Sequence, residues 1–374
     1  MPGTTVDREF SDSLPQIIRT IPKECFQPQL GKSLLYVARD LGIVVATAAL
    51  IVWVDSWILG PVIAILMGCG LGGLFVIGHD AGHRSFCKST RLNNVIGHIT
   101  TSPVFWPFHI WRLDHDKHHR HSSHIDKDTA WRPTTYKLWK RMPKNQKYIY
   151  KKIRSGFFFM GSLYTTYQLI KDGLKADSSP LYSDIEKQQV KFSLRLTFLT
   201  VLIYVVLSFY LAGFYGFICL FIIPNLVFHF LLSTLTYFHH TAPDVKFLGR
   251  HEWDAAKAQL QGTLHVGYPR VLESLIHDIN WHVPHHVCVG IPHYHLRKAH
   301  MALKSSYPDD VREYTLNLEH IKAVTSKCHF ITSRNRANPD LSWMSFDEAL
   351  ALEKTPKKET STPINTTVLQ GSEI

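Results

Sequence analysis

The chain has 374 residues, 41 Lys and Arg against 30 Asp and Glu, a net charge of +11, only 19% charged residues and 23 histidines. It is long enough for a sizeable core, but the charged fraction is low for a soluble protein, and no nucleic-acid-binding motif is present. Six cysteines without a CxxC pair argue against a disulfide framework or a zinc ribbon and suit a reducing compartment.

In chain order, residues 1–37 are mixed polar, with Asp7, Arg8, Glu9, Arg19 and Lys23 and no early apolar run, so no signal peptide is expected. No Lys or Arg then occurs between Arg39 and Arg84, and none between Arg195 and Lys246. Each gap has room for two spans of about 20 residues and a tight turn. The first reads IVVATAALIVWV, DSWILGP, VIAILMGCGLGGLFVIG; the second reads LTFLTVLIYVVLSFYLA, GFYG, FICLFIIPNLVFHFLLSTL. All basic residues fall outside these apolar runs, which places the remaining segments in the cytoplasm by the positive-inside bias. The expected fold is an all-α integral membrane protein. Four transmembrane helices form two hairpins, at 38–78 and 196–238, and a cytoplasmic helical cap is built from 1–37, 79–195 and 239–350. Buried core helices are the alternative, disfavoured by two paired runs free of basic residues.

Residues 93–111 are apolar but broken by Pro103 and Pro107. Residues 138–154 mix basic and aromatic side chains ahead of GFFFMGSLYTTYQLI, which suits a segment lying along the headgroups. The polar stretch 351–374 is expected to be a disordered tail; its sequon at Asn365 carries no weight on a cytoplasmic segment. The basic excess reads as a face toward anionic lipid or an acidic partner.

Three histidine clusters stand out: HDAGH with His79 and His83, HDKHH with His115, His118 and His119, and HVPHH with His282, His285 and His286. Spacings of three and four put imidazoles on one helix face. His79 and His83 follow the second apolar run, and YFHHT, with His239 and His240, ends the fourth, so all can meet at one membrane face. Imidazole suits zinc, copper, iron and nickel. Eight or nine nitrogens exceed the four of a structural zinc and suit two ions. Asp80, Asp116 and Asp278 lie beside box histidines as candidate orienting partners, with helix-capping roles equally open.

At these boxes the sequence resembles the membrane-bound fatty acid desaturases, a di-iron family marked by HxxxH, HxxHH and HxxHH. IPKECF at 21–26, GHDAGHRSF at 78–86, WRLDHDKHHRH at 111–121 and HDINWHVPHHVCVGIPHY at 277–294 resemble the cyanobacterial acyl-lipid Delta-12 (omega-6) desaturases. The likeness covers roughly residues 12–335; Ala81 departs from the cysteine more common there. It implies two iron ions held by His79, His83, His115, His118, His119, His282, His285 and His286, the residues that carry catalysis. His240 is the candidate ninth ligand and His239 the runner-up. It further implies molecular oxygen as oxidant, reduced ferredoxin as donor, oleoyl chains of membrane glycerolipids as substrate and linoleoyl chains as product. The implied location is a thylakoid or plasma membrane, with the site on the cytoplasmic side.

The remaining histidines read more simply. His121 and His124 follow the second box without being forced into it, and His229 reads as a buried, hydrogen-bonded residue. His98, His109, His293 and His295 read as packing or interfacial positions. Trp106, Trp111 and Trp281 read as interface anchors, with an acyl channel as the alternative. His277 falls outside the arc of the third box and reads as a supporter. Pro284 predicts a helix starting near Val283, with His282 at its mouth. An omega-3 desaturase, a carotenoid ketolase or hydroxylase and a histidine-rich metal transporter are the rival functions. The transporter is disfavoured because the boxes lie at span ends rather than mid-span.

Overall fold

The computed structural model describes residues 11–335 and 338–354. After a short helix at Leu14–Arg19 and a 3-10 turn at Lys23–Phe26 come two long apolar helices, α1 (Leu30–Val54) and α2 (Leu59–Gly82), turning at Asp55, which adopts φ 41° as the C-cap. Then come α3 (Thr90–Thr101) and α4 (Phe108–Arg120), separated by the Pro103–Pro107 stretch, and α5 (Lys144–Arg154) and α6 (Gly161–Leu174). The second apolar pair is α7 (Asp184–Gly216) and α8 (Ile223–His240), joined by a π-helical turn at Phe217–Ile222. Two shorter helices complete the part used below, α9 (His282–Val287) and α10 (His293–Ser306).

Three helical runs, Leu30–Val54, Leu59–Gly82 and Asp184–His240, are long and apolar enough to cross a membrane by length and composition. The third doubles back on itself. Ala212 leaves helical geometry and Gly213 takes φ 59°, ψ −143°, a conformation open to glycine but costly for other residues. In consequence the Tyr204 hydroxyl donates to the Leu220 carbonyl and the Phe209 and Phe217 rings stack at 4.6 Å. In a straight helix, 16 residues would separate Tyr204 and Leu220 by about 24 Å. The apolar helices thus form two hairpins. Their outer faces carry exposed Val45, Trp53, Leu202 and Tyr210, a pattern that water would penalise and lipid would not.

The helices begin earlier than the apolar runs. Arg39 lies within α1, its head held by Asp40 at 2.7 Å and the Ser274 carbonyl at 2.9 Å, so its charge is satisfied at the helix flank. One expectation is corrected: the fold is mainly helical, not all-α. His265–Gly267 pairs in parallel with Glu313–Thr315, and Phe330–Asn335 pairs antiparallel with Asn338–Met344. The first two strands, of three residues each, are too short for alternation to announce them. A helix at Phe346–Lys354 ends the described chain, so the tail expected from 351 begins inside it. The rest of that tail, with Asn365, lies outside the described residues.

Candidate metal centre

The last turn of α2 carries His79, and His83 caps that helix. His115, His118 and His119 occupy the C-terminal half of α4. His240 is the last residue of α8, and α9 begins at His282 with His285 and His286 inside its first turns. Pro284 costs nothing there, because the first-turn N–H groups of a helix have no intrahelical acceptor. The helix starts where the proline predicts.

These side chains converge in two groups. Ligand nitrogens of His79, His83, His115, His119 and His285 lie within 4.8 Å of one another, and so do those of His118, His240 and His286. His282 adjoins the second group, its Nε2 3.1 Å from His240 Nε2. His119 Nε2 lies 3.1 Å from His115 Nε2 and 3.0 Å from His285 Nε2. One shared proton cannot satisfy both contacts. Burial, first, and the repulsion of neighbouring imidazoles hold His83, His115, His119, His282, His285 and His286 well below the ordinary histidine value. All six are therefore neutral at pH 7 and carry a free lone pair.

Second partners fix which nitrogen faces inward. His118 Nδ1 donates to Asp128 Oδ1 at 2.6 Å, and His286 Nδ1 donates to Gln259 Oε1 at 3.1 Å. The Nε2 atoms of both rings are buried without a hydrogen-bond partner. Gln259 also donates through Nε2 to the His119 carbonyl, tying the second box to the third. Buried ring nitrogens without a hydrogen-bond partner, pointing at one another, fit two cations, because each would otherwise forfeit a hydrogen bond at a cost of about 1–3 kcal/mol. An all-imidazole set without thiolate suits a borderline first-row metal.

Neither Asp128 nor Gln259 was expected. The three carboxylates singled out by adjacency do other work: Asp80 accepts from the backbone N–H and Nδ1 of His293, both at 2.9 Å, while Asp278 pairs with Arg270 at 2.8 Å. Asp80 stands 3.7 Å from His79 Nδ1 and Asp116 4.0 Å from His83 Nδ1, beyond hydrogen-bond reach. His277 lies outside both groups, paired with buried Asp40 at 2.5 Å and pushed down to about 4 by burial. That pair also explains Gly73, where a Cβ would meet Asp40 Oδ2 at 2.7 Å.

His239 stacks on His282 at 4.4 Å with both nitrogens unpartnered, but neither group includes it. His229 hydrogen-bonds Ser162 Oγ at 2.8 Å, and His98 packs on His109 at 4.8 Å. His121 and His124 lie outside the groups beside Trp253, and half-buried His295 packs on Tyr294.

A cavity of about 940 Å³ runs past His79, His115, His118, His239, His240 and His282. On one side of the histidines its wall is apolar, from Phe75 and Val76 on α2 and Phe228, Leu231 and Leu235 on α8, and on the other it is polar, with Asp114, Lys117, Arg132, Gln146 and Lys171. Gly72 and Phe228, which mark its deep end, precede His79 and His239 by about 10 and 16 Å of helix. Trp106 and Trp111 belong to this wall and are 5% exposed, which corrects their reading as interface anchors. Trp106 is carried inward by the proline-flanked turn before α4, and Trp111 by the buried face of α4 itself. Trp281 is likewise no anchor: it is buried and stacked on His265 at 3.7 Å.

Apolar hairpins presenting two groups of buried imidazoles that could hold metal ions, beside a cavity with a long apolar side, define the class as a histidine-rich enzyme of membrane type. The particular family follows from comparison: residues 55–317 match the fatty acid desaturase family, and the chain belongs to it. It is an oxidoreductase of that family. It is 38% identical to the sn-1 oleoyl-lipid 12-desaturase of Synechocystis over 86% of this chain and 90% of that one. It is 36% identical to the protein of the same name from Picosynechococcus, over 87% and 92%. With the chloroplastic omega-6 fatty acid desaturase of Glycine max it shares 34% identity over 84% of this chain and 73% of that one.

Proposed function

We propose that this chain inserts a cis double bond at Delta-12 (omega-6) of oleoyl chains esterified in membrane glycerolipids, yielding linoleoyl chains. His79, His83, His115, His118, His119, His240, His282, His285 and His286 hold two iron ions. Molecular oxygen is the oxidant and reduced ferredoxin the donor. The convergence of all three boxes on one wall of a cavity with a long apolar side carries this reading, and the names of the relatives favour Delta-12. The chemistry a bound iron pair would supply is oxidation: with one oxygen molecule, two donor electrons and two protons, two hydrogens would leave adjacent methylenes and both oxygen atoms would end as water.

The chain's own residues do the rest. Asp128 and Gln259 fix the tautomers of His118 and His286, so that lone pairs rather than protons face the ions. Phe75, Val76, Phe228 and Leu231 take the methyl end of the acyl chain and exclude water from it, and the depth of that end sets which carbons stop beside the histidines. In the membrane we read four spans, 38–78 and 196–238 being the hairpins. The segments 1–37, 79–195 and 239–350 form the cytoplasmic side, in a thylakoid or plasma membrane. The net charge of +11 suits an acidic ferredoxin. Expression in a host that makes oleate but no linoleate, with chromatography of its lipid acyl chains, tests the assignment: 18:2 with double bonds at 9 and 12 is expected. A new bond elsewhere, or none, overturns it.

A further inference from the structure

Arg154 ends α5, is 3% exposed, and forms part of the wall of the cavity that the histidines also line. Its Nη2 donates to the Trp131 carbonyl, while Nη1 is buried with no hydrogen-bond partner. Among the described residues no carboxylate lies within ion-pair distance of it. Its neighbours are aromatic instead: the guanidinium carbon lies 5.8 Å from the Tyr150 ring, 5.7 Å from Tyr237 and 5.8 Å from Trp343. The Tyr150 hydroxyl donates to the His329 carbonyl and accepts from the Thr134 N–H, and the Tyr237 hydroxyl donates to the Arg154 carbonyl; both oxygens also accept weakly from the guanidinium, which leaves Nη1 without a close partner and the charge without a counter-ion.

A guanidinium is always charged and offers five donors. Burying one beside aromatic faces, with one arm unpaired and no counter-charge, is unfavourable unless something in the cavity completes it. The complement is an oxygen acceptor. Resting on the glycerolipid reading above, the cavity has the form of a long apolar end beyond the histidines and one buried cation elsewhere in its wall. The cation is the only buried Arg or Lys among the described residues.

We propose that Arg154 is the polar anchor of the lipid substrate, donating through Nη1 to an oxygen of the glycerol backbone region, an ester carbonyl or the headgroup phosphate. The anchor fixes one end of the acyl chain while the apolar end receives the other. Position along the chain is then measured from the ester as well as from the methyl terminus.

Equilibrium binding to the iron-loaded protein tests this without turnover, using three probes with the same oleyl tails: dioleoylglycerol, dioleoylphosphatidylglycerol, and the diether analogue of the latter, which lacks both carbonyls. The variants are R154Q, and R154K as the charge-retaining control. If the partner is a carbonyl, the wild type binds the diether about tenfold or more weakly than the diester, and R154Q weakens both ester lipids equally. If it is the phosphate, the diether matches the diester and R154Q weakens only the phosphate-bearing lipids. In either case R154K recovers a large part of the loss and iron per chain is unchanged, which a purely structural role in holding the Trp131 loop would not give. Should R154Q not assemble, the wild type decides alone. Equal affinity for all three lipids, or R154Q binding them as the wild type does, overturns the assignment. A wild type that binds none of them overturns the glycerolipid reading itself, an outcome visibly distinct from lost selectivity.

Discussion

Asp128→Asn is the most informative change at the proposed metal centre, because it alters one atom of a buried side chain that is not itself a ligand. Asp128 accepts from three donors, His118 Nδ1 at 2.6 Å and the Ala130 N–H at 2.9 Å through Oδ1, and the Ser123 N–H at 2.7 Å through Oδ2. The side chains of Asp128 and His118 are each 2% exposed, so water cannot substitute. An asparagine has one acceptor oxygen. If it keeps His118 and Ala130, its amide faces the Ser123 N–H, and if it flips, His118 loses its partner and its fixed tautomer. Either arrangement strands a buried donor at about 1–3 kcal/mol. Loss of such an orienting carboxylate weakens metal binding about ten- to a hundredfold, or about 1.4–2.8 kcal/mol. The cost falls on the group built from His118, His240 and His286, since Asp128 contacts none of His79, His83, His115, His119 and His285. Iron per chain, measured by plasma mass spectrometry after dialysis against a chelator series, should therefore fall in two steps, the first at a tenth or less of the wild-type chelator concentration. A single step coincident with the wild type would refute the role given to Asp128.

His285→Ala should abolish linoleoyl product and lower bound iron while the chain still inserts in the membrane; unchanged product in lipid chromatography would remove the third box from the site. Asp40→Asn breaks the buried contacts to Arg39 and His277 and should cost about 3 kcal/mol. Its thermal midpoint should drop with iron per chain unchanged, and a wild-type midpoint would sink that account. Acid should destabilise the metal-free protein. His115, His119, His282, His285 and His286 are held below their ordinary value when folded, so the unfolded chain takes up protons first. Stability is full above about pH 6.5 and is lost as pH falls below it. Thermal unfolding scanned from pH 8 to 5 checks the sign, and a midpoint that rises on acidification contradicts it.

What could be read before the structure was whatever is local. HxxxH and HxxHH are statements about one helix face, so the ring sets of α2, α4 and α9 follow from spacing alone, and Pro284 marks where α9 begins. The GFYG turn likewise signals the second reversal, which Gly213 performs. Whatever needed the third dimension was hidden. Asp128 reaches His118 across a loop whose Ser123 and Trp131 take φ 57° and 50°, and nothing in HSSHIDKDTAW distinguishes it from Asp126. Gln259 arrives from a separate helix, and Asp40 meets His277 from 237 residues away. Adjacency in sequence misled for the same reason. Asp80 and Asp116 sit next to box histidines, but on a helix consecutive residues point about 100° apart, so the neighbour in the chain is poorly placed to orient the ring, while Asp278 lies in a turn beside His277, which is outside both groups. The partner of a helical ligand has to come from another element, or from its own helix three or four residues away. The first of these is what Asp128 and Gln259 do. A ligand set can therefore be proposed from one segment's spacing, whereas the residues that decide which of its nitrogens faces the metal belong to the tertiary fold.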